Sequence, residues 1–222
     1  MTTTLAPFTT ETRCRSCGSG RTETLLAFDA TPLADRLLTA ARLDAPEFTA
    51  PLTWAFCPDC TLVQIRETVD PEVLFFEEYP YFSSVSKSLV RHFRESAVAL
   101  VERRGLGPGS LVVEAASNDG YMLRNFVDRG IPVLGIDPAK APVQAAVEAG
   151  VPTLCTFFTE ALAHRLRAEG RAADVFLANN VVAHVADLNG FVAGIAALLK
   201  DDGMAVVEVQ YVADLVDHGG FD

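Results

Sequence analysis

The sequence predicts an α/β protein, a doubly wound parallel sheet preceded by a small cysteine-bearing domain, and three observations predict it. From residue 111 onward, short continuous apolar runs alternate five times with helix-length stretches. That is the pattern of strands covered on both faces by crossover helices. Four of the five cysteines form two C-x-x-C pairs, Cys14 with Cys17 and Cys57 with Cys60. The 222 residues are half apolar and 21% charged, a globular composition long enough to bury a full core.

The domain boundaries expected from these patterns are residues 1–70 for the cysteine domain, 71–105 for an aromatic segment and linker helix, and 106–222 for the sheet domain. In the first domain, Leu25–Phe28 and Leu62–Ile65 read as short strands. Two C-x-x-C pairs point to one zinc ion held by four thiolates, each pair acting as a bidentate clip. A redox pair or four ordinary buried thiols are the competing readings. Gly18 follows the first pair and permits the positive φ of a knuckle, whereas Cys57-Pro58-Asp59-Cys60 lacks that glycine. Four thiolates leave no open position, so the zinc is structural. The lone Cys155 follows a strand-like Val-Pro-Thr-Leu run and reads as a core residue.

Residues 71–88, PEVLFFEEYPYFSSVSKS, are dense in Phe and Tyr and contain a Ser pair. They read either as a buried connection or as a ligand lid, with Tyr and Ser tips as polar handles. A helix is expected over 88–104, ending before Gly105. Then follow strand 111–114, helix 121–129, strand 133–137, helix 139–149, strand 151–155, helix 159–169, strand 174–178, helix 187–199, strand 204–209 and helix 213–217.

Charge and hydropathy narrow the function classes. The chain carries 18 basic and 29 acidic side chains, a net charge of −11. That balance argues against a nucleic-acid partner, which needs a basic face. Apolar runs are too short for a membrane span. The N-terminal MTTTLAPFTTETR lacks the basic and apolar regions of a secretory signal, so the expected setting is cytoplasmic.

Doubly wound sheets bind ligands at the carboxyl ends of their strands. The loop after the first strand is Glu114-Ala115-Ala116-Ser117-Asn118-Asp119-Gly120. It is not the dinucleotide fingerprint G-x-G-x-x-G, which disfavours an NAD enzyme. It resembles motif I of class I S-adenosylmethionine (SAM) methyltransferases, an acid followed by small residues that let the backbone approach a cofactor. Asp137, 23 residues after Glu114, ends the second strand and could accept ribose hydroxyls or cap a helix. Asn179 and Asn180 end the fourth strand, and His184 follows one helical turn later. His92, His164 and His218 have no comparable setting.

In this order the motifs resemble the zinc-containing C-methyltransferases of nucleotide-linked 4-keto-deoxysugars, the C-3 sugar methyltransferases. The matching pieces are C-R-x-C-G at 14–18, P-L-A-D at 32–35, C-x-x-C-x-L-V-Q at 57–64, and L-F-x-E-x-Y-P-Y-x-S-S at 74–84. They continue with V-E-x-x-x-N-D-G-x-M-L-R at 113–124, A-N-N at 178–180 with His184, and L-L-x-x-D-G at 198–203. The resemblance implies a class I methyltransferase (Rossmann-like) sheet and SAM as cofactor. Glu114, Ala116, Asn118, Gly120, Asp137, Asn179 and Asn180 are then its contacts, with Ala116 standing where the family has glycine. It implies structural Zn2+ on Cys14, Cys17, Cys57 and Cys60. It further implies His184 and Tyr79 as catalytic residues, with Tyr81, Ser83 and Ser84 on the nucleotide-sugar substrate.

The sheet is expected to be incomplete at its C-terminal end, because five strands are read where a class I sheet has seven. The resemblance places a Tyr and a Glu-His pair, which supply the principal base, after a Phe-Asp pair like Phe221-Asp222. The chain is therefore expected to be a fragment, a truncated frame or one half of a split enzyme, with a separately encoded C-terminal half as its partner. A non-catalytic SAM- or partner-binding module is the alternative, and a zinc-bearing RNA methyltransferase is disfavoured by the acidic first domain.

Overall fold

A computed structural model describes residues 8–75 and 79–220, which form two compact units. The start of the N-terminal segment, positions 76–78 of the aromatic segment and the Phe221-Asp222 pair lie outside the described residues. Among the described residues no helix is long and apolar enough to cross a membrane.

The first unit contains the cysteines and is built from two small antiparallel sheets. Strand β1 (Phe8–Thr10) pairs with β5 (Glu67–Val69). Strand β2 (Glu23–Pro32) pairs with β3 (Thr49–Phe56), which pairs with β4 (Val63–Ile65). Most of the stretch between the two cysteine pairs is thus a long hairpin, and the strand expected at 25–28 is longer than its apolar run. The short helix α1 (Pro71–Leu74) follows, with the Asp70 carboxylate accepting from the Glu72 N–H at its start.

The second unit opens with helix α2 (Lys87–Arg104), capped by the Ser86 hydroxyl and closed by Gly105 at φ +60°. Five strands follow: β6 (Val112–Ala115), β7 (Val133–Asp137), β8 (Thr153–Cys155), β9 (Ala173–Asn179) and β10 (Leu199–Glu208). All run parallel, in the order β10-β9-β6-β7-β8. The helices between them are α3 (Arg124–Val127), α4 (Lys140–Glu148), α5 (Glu160–Ala168) and α6 (Leu188–Leu198). Helix α7 (Val212–His218) belongs to the first unit.

Alternation along the strands divides the core in two. Val112, Val133, Val175 and Leu177 face Phe93, Ala97 and Leu100 of α2 together with Met122 and Phe126. Val113, Leu134, Ile136 and Phe176 face Leu162 and Leu166 of α5 and Phe191 and Ile195 of α6. The continuous apolar runs are therefore strands buried on both sides.

Three expectations are corrected. The helix expected over 121–129 is a turn at 121–123 followed by the four-residue α3. Tyr121, Met122 and Leu123 are all buried, which no single helical stripe of a half-exposed helix allows. Cys155 is exposed at the end of the edge strand β8 rather than in the core. Asp137 is not the helix cap, since α4 starts after Ala139.

Gly135 sits mid-sheet on β7, where a Cβ would stand 2.5 Å from Ser117 Oγ and 2.6 Å from Thr153 Oγ1. Gly135→Ala should therefore lower stability by about 1–3 kcal/mol in urea unfolding. An unchanged midpoint would show that both side chains swing clear.

Candidate functional site

The four thiols of the first unit converge. Their sulfurs lie within 4.8 Å of one another, with Cys14 3.4 Å from Cys60 and Cys17 3.6 Å from Cys57. A tetrahedral Zn2+ with Zn–S near 2.3 Å requires sulfurs about 3.8 Å apart. All four are free thiols, so the donor set fits that ion.

The two knuckles share one backbone form. Gly18 N–H donates to Cys14 O at φ +74°, and Thr61 N–H donates to Cys57 O at φ +65°. Thr61 thus takes the conformation that glycine takes in the first knuckle, a strained one for a β-branched residue. Two other residues of the cysteine motifs are explained by what they hold. The buried Gln64 amide accepts from Arg15 N–H at 2.9 Å and donates to Arg13 O at 3.0 Å, so it fastens the first knuckle to β4. The Arg15 guanidinium donates to Ile65 O and to Thr68 Oγ1, bracing β4 and β5.

In the second unit, the residues expected at the cofactor gather at the carboxyl ends of β7, β6 and β9. The loop after β6 turns sharply, with Ala116 at φ +54°, Asn118 at +48° and Gly120 at +74°. Glu114 is fully buried. Its Oε1 accepts from Asn179 Nδ2 at 3.0 Å, and its Oε2 has no partner. Burial pushes its pKa up to about 8, against the pull of hydrogen bonds from Asn179 and Tyr121 and helped by the charges of Asp137 and Asp119. Burial also raises the Tyr121 phenol, which faces Glu114.

Asp137 is buried too, and burial raises its pKa. Its oxygens accept from Asn118 N–H at 2.9 Å and Ala139 N–H at 2.8 Å, bonds that favour the charged form. Asp119, singled out by no sequence reading, is only 3% exposed and leaves Oδ1 unpartnered. Ser117 Oγ is likewise buried without a partner. Polar atoms orphaned inside a protein mark a strained site or an absent ligand. Here three cluster in one loop.

The aromatic segment is hydrogen-bonded onto this loop. Ser83 N–H donates to Asn118 Oδ1 at 2.9 Å, Asn118 Nδ2 donates to Tyr81 O at 3.1 Å, and Ser84 N–H donates to Asp119 Oδ2 at 3.3 Å. The Asn118 side chain is thereby committed to the segment. Tyr81 remains 44% exposed, and Tyr79 is half-buried.

Asn180, at φ +52°, turns away from Glu114. Its Nδ2 donates to Glu208 Oε1 at 3.0 Å, and its N–H donates to Glu208 O. Glu208 Oε2 pairs with His92 Nε2 at 2.7 Å, so His92 has a defined setting that the sequence did not disclose. His184 lies exposed on the short 3-10 turn Val182–His184 after β9.

Known proteins are similar to this chain. Residues 89–220 match a family model described as "Methyltransferase domain", and residues 14–75 match one described as "Putative zinc binding domain". The chain belongs to this methyltransferase-domain family, and its fold is that of a class I methyltransferase. Among relatives, the C-methyltransferase NovU of Streptomyces niveus is 34% identical over 209 residues, covering 94% of this chain and 50% of that protein. A ubiquinone biosynthesis O-methyltransferase of Bartonella quintana is 29% identical over 97 residues, covering 43% of this chain and 39% of that protein. A SAM-dependent methyltransferase structure from Clostridium acetobutylicum aligns with a TM-score of 0.48 at 12% identity, covering 58% of this chain and 54% of that one. The chain spans half the length of the C-methyltransferase it matches.

Two outcomes follow from these contacts. Gln64→Leu leaves the Arg15 N–H and Arg13 carbonyl without their partner, and should cost about 1–3 kcal/mol and speed zinc loss to a chelator. A chelation rate equal to wild type would mean the knuckle holds itself. For Glu114, the folded chain keeps its proton from about pH 4.5 to about 8 while the unfolded chain releases it. Stability should therefore fall as pH rises through that window, by at most about 1.4 kcal/mol per unit, and Glu114→Gln should flatten the slope. Asp137 acts in the same direction. A wild-type stability that rises across this window would show Glu114 ionised in the fold.

Proposed function

We propose that this chain carries the zinc module and cofactor domain of a SAM-dependent C-methyltransferase acting on a nucleotide-linked 4-keto-deoxysugar. The observation that carries the reading is the end of β6 and the loop after it, where Glu114 Oε2 and Asp119 Oδ1 are buried beside Asp137 with no donor among the described residues. Carboxylates so placed suit a ligand bearing both a cationic centre and hydroxyl donors. The similarity to a C-methyltransferase over 94% of the chain supports the same choice.

SAM, when bound, supplies an electrophilic methyl group. Asp137 is the assigned acceptor for the ribose hydroxyls, because each of its oxygens accepts one backbone N–H and retains a lone pair. Glu114 and Asn179 are assigned to the cationic end, and Ala116 and Gly120 let the backbone come close. On the substrate, a 4-keto group acidifies the C3 proton. Tyr79 is assigned to donate to the ketone oxygen as enolate charge develops, and His184 to line the same site. Tyr81, Ser83 and Ser84 are assigned to orient the sugar, since in-line transfer depends on placement as much as on basicity. The assigned setting is cytoplasmic, where reduced thiols are available to zinc.

The test is calorimetric titration with SAM, alongside thermal unfolding. Asp137→Ala should weaken SAM binding by about 1–3 kcal/mol, as expected for lost bonds to a charged group. Unaltered affinity would move the cofactor elsewhere. Methylation of a nucleotide 4-keto-deoxysugar with release of S-adenosylhomocysteine tests the reaction, and tight SAM binding without turnover would favour a binding module.

A further inference from the structure

In a chain of net charge −11, three cations stand together with no acid partner among the described residues. Lys87, Arg91 and Arg94 occupy positions i, i+4 and i+7 of α2, one face of the helix. With Ser84 and Val90 they line an open surface cleft of about 340 Å³, to which no acidic residue contributes among the described residues. That volume lies within the range of small-molecule sites. Several other cations of the same unit are engaged: Arg124, Arg129, Arg167 and Lys200 each donate to a carbonyl or carboxylate. Among the described residues, none of the three has a hydrogen-bond or ion-pair partner.

This arrangement costs the ligand-free protein something. Like charges at i, i+4 repel, and a cation in the first turn opposes the helix dipole, each by a few tenths of a kcal/mol. An anion in the cleft reverses both terms. Lys87 and Arg94 are separated by roughly 10 Å along the axis, so their long side chains can close on more than one phosphate. A nucleic acid would need a longer basic stripe on a less acidic protein.

We infer that Lys87, Arg91 and Arg94, with Ser84, form a binding site for the diphosphate of a nucleotide-linked ligand. The identity of that ligand as the methyl acceptor rests on the function proposed above; the anion site itself does not.

The full 222-residue chain is titrated calorimetrically with dTDP, UDP, inorganic pyrophosphate, inorganic phosphate and thymidine. A nucleoside diphosphate should bind, pyrophosphate should compete with it, and thymidine should not. Lys87→Gln, Arg91→Gln and Arg94→Gln should each weaken diphosphate binding about fivefold, and the three together about a hundredfold. Added NaCl should weaken it further, and the SAM affinity of these variants should stay unchanged. The site is overturned if millimolar diphosphates do not saturate, if the variants bind as tightly as wild type, or if phosphate binds as well as dTDP. Tighter binding of single-stranded RNA than of dTDP also overturns it. SAM binding without diphosphate binding removes this site alone. Diphosphate binding without SAM binding removes the function proposed above and leaves the site.

Discussion

The hydrogen bond from Asn118 N–H to Asp137 Oδ2, 2.9 Å long, is the interaction on which the rest of the candidate site depends. It joins the ends of two adjacent parallel strands, β6 and β7, at the point where a doubly wound sheet accepts ligands. The loop reaches this geometry only by turning through left-handed backbone at Ala116, Asn118 and Gly120. Glycine adopts that conformation without cost, whereas alanine there costs about 1–2 kcal/mol. Gly120 has a second reason, since a Cβ would meet Val151 at 2.9 Å. Asn118 tolerates the conformation and adds an amide that neither Gly nor Ala could supply. That amide holds the backbone of Tyr81 and Ser83, so one residue ties two strand ends to the aromatic segment.

The first unit solves a different problem. Sheets of two and three short strands leave most side chains at least partly exposed, and only a few small residues, such as Ala50 and Ala55, are buried along β3. A domain with so little core needs another source of folding energy, and four converging thiolates on a metal can supply it. Gln64 and Arg15 then have clear roles: both cross-link the knuckle to strands some fifty positions away in sequence. The motif residues flanking the cysteines are thus part of the scaffold that aims the sulfurs.

The sheet was legible because its central strands β6, β7 and β9 are buried on both faces and so read as unbroken apolar runs. Residues 133–137 and 173–179 are buried almost throughout. The same burial misleads at 121–123, where apolar residues fill the core from a turn and imitate the start of a helix. Cys155 reads as core because β8 resembles its neighbours, yet β8 is the edge strand of the described sheet. The carboxylates at 114 and 137 were legible from their position after strands. Asp119 was hidden in the N-D-G motif, since nothing local separates a buried carboxylate from a turn-forming one. The His92–Glu208 pair joins residues 116 apart, and no spacing rule reaches across a whole sheet to find it. Thr61 at φ +65° was equally hidden, because the glycine rule predicts where the conformation is easy and not every place where it occurs.

Two opposite electrostatic environments meet on the segment at 81–84. Toward the sheet lie three buried acids, Glu114, Asp119 and Asp137, and burial raises the cost of ionising Glu114 and Asp137. Toward α2 lie three cations with no acid beside them among the described residues. Ser84 belongs to both, its N–H donating to Asp119 while the residue also lines the cationic cleft. Under the function proposed here, a cationic cofactor would favour the ionised form of the acids and an anionic substrate would neutralise the cations. The two ligands would then stabilise opposite sides of one short stretch of backbone. Stabilising either side lowers the ordering cost for the other, which is reciprocal coupling between the sites by thermodynamic necessity. In that view the hydrogen bonds of Asn118 and Asp119 to residues 81–84 are more than packing: they let the chain register both partners before a methyl group is committed.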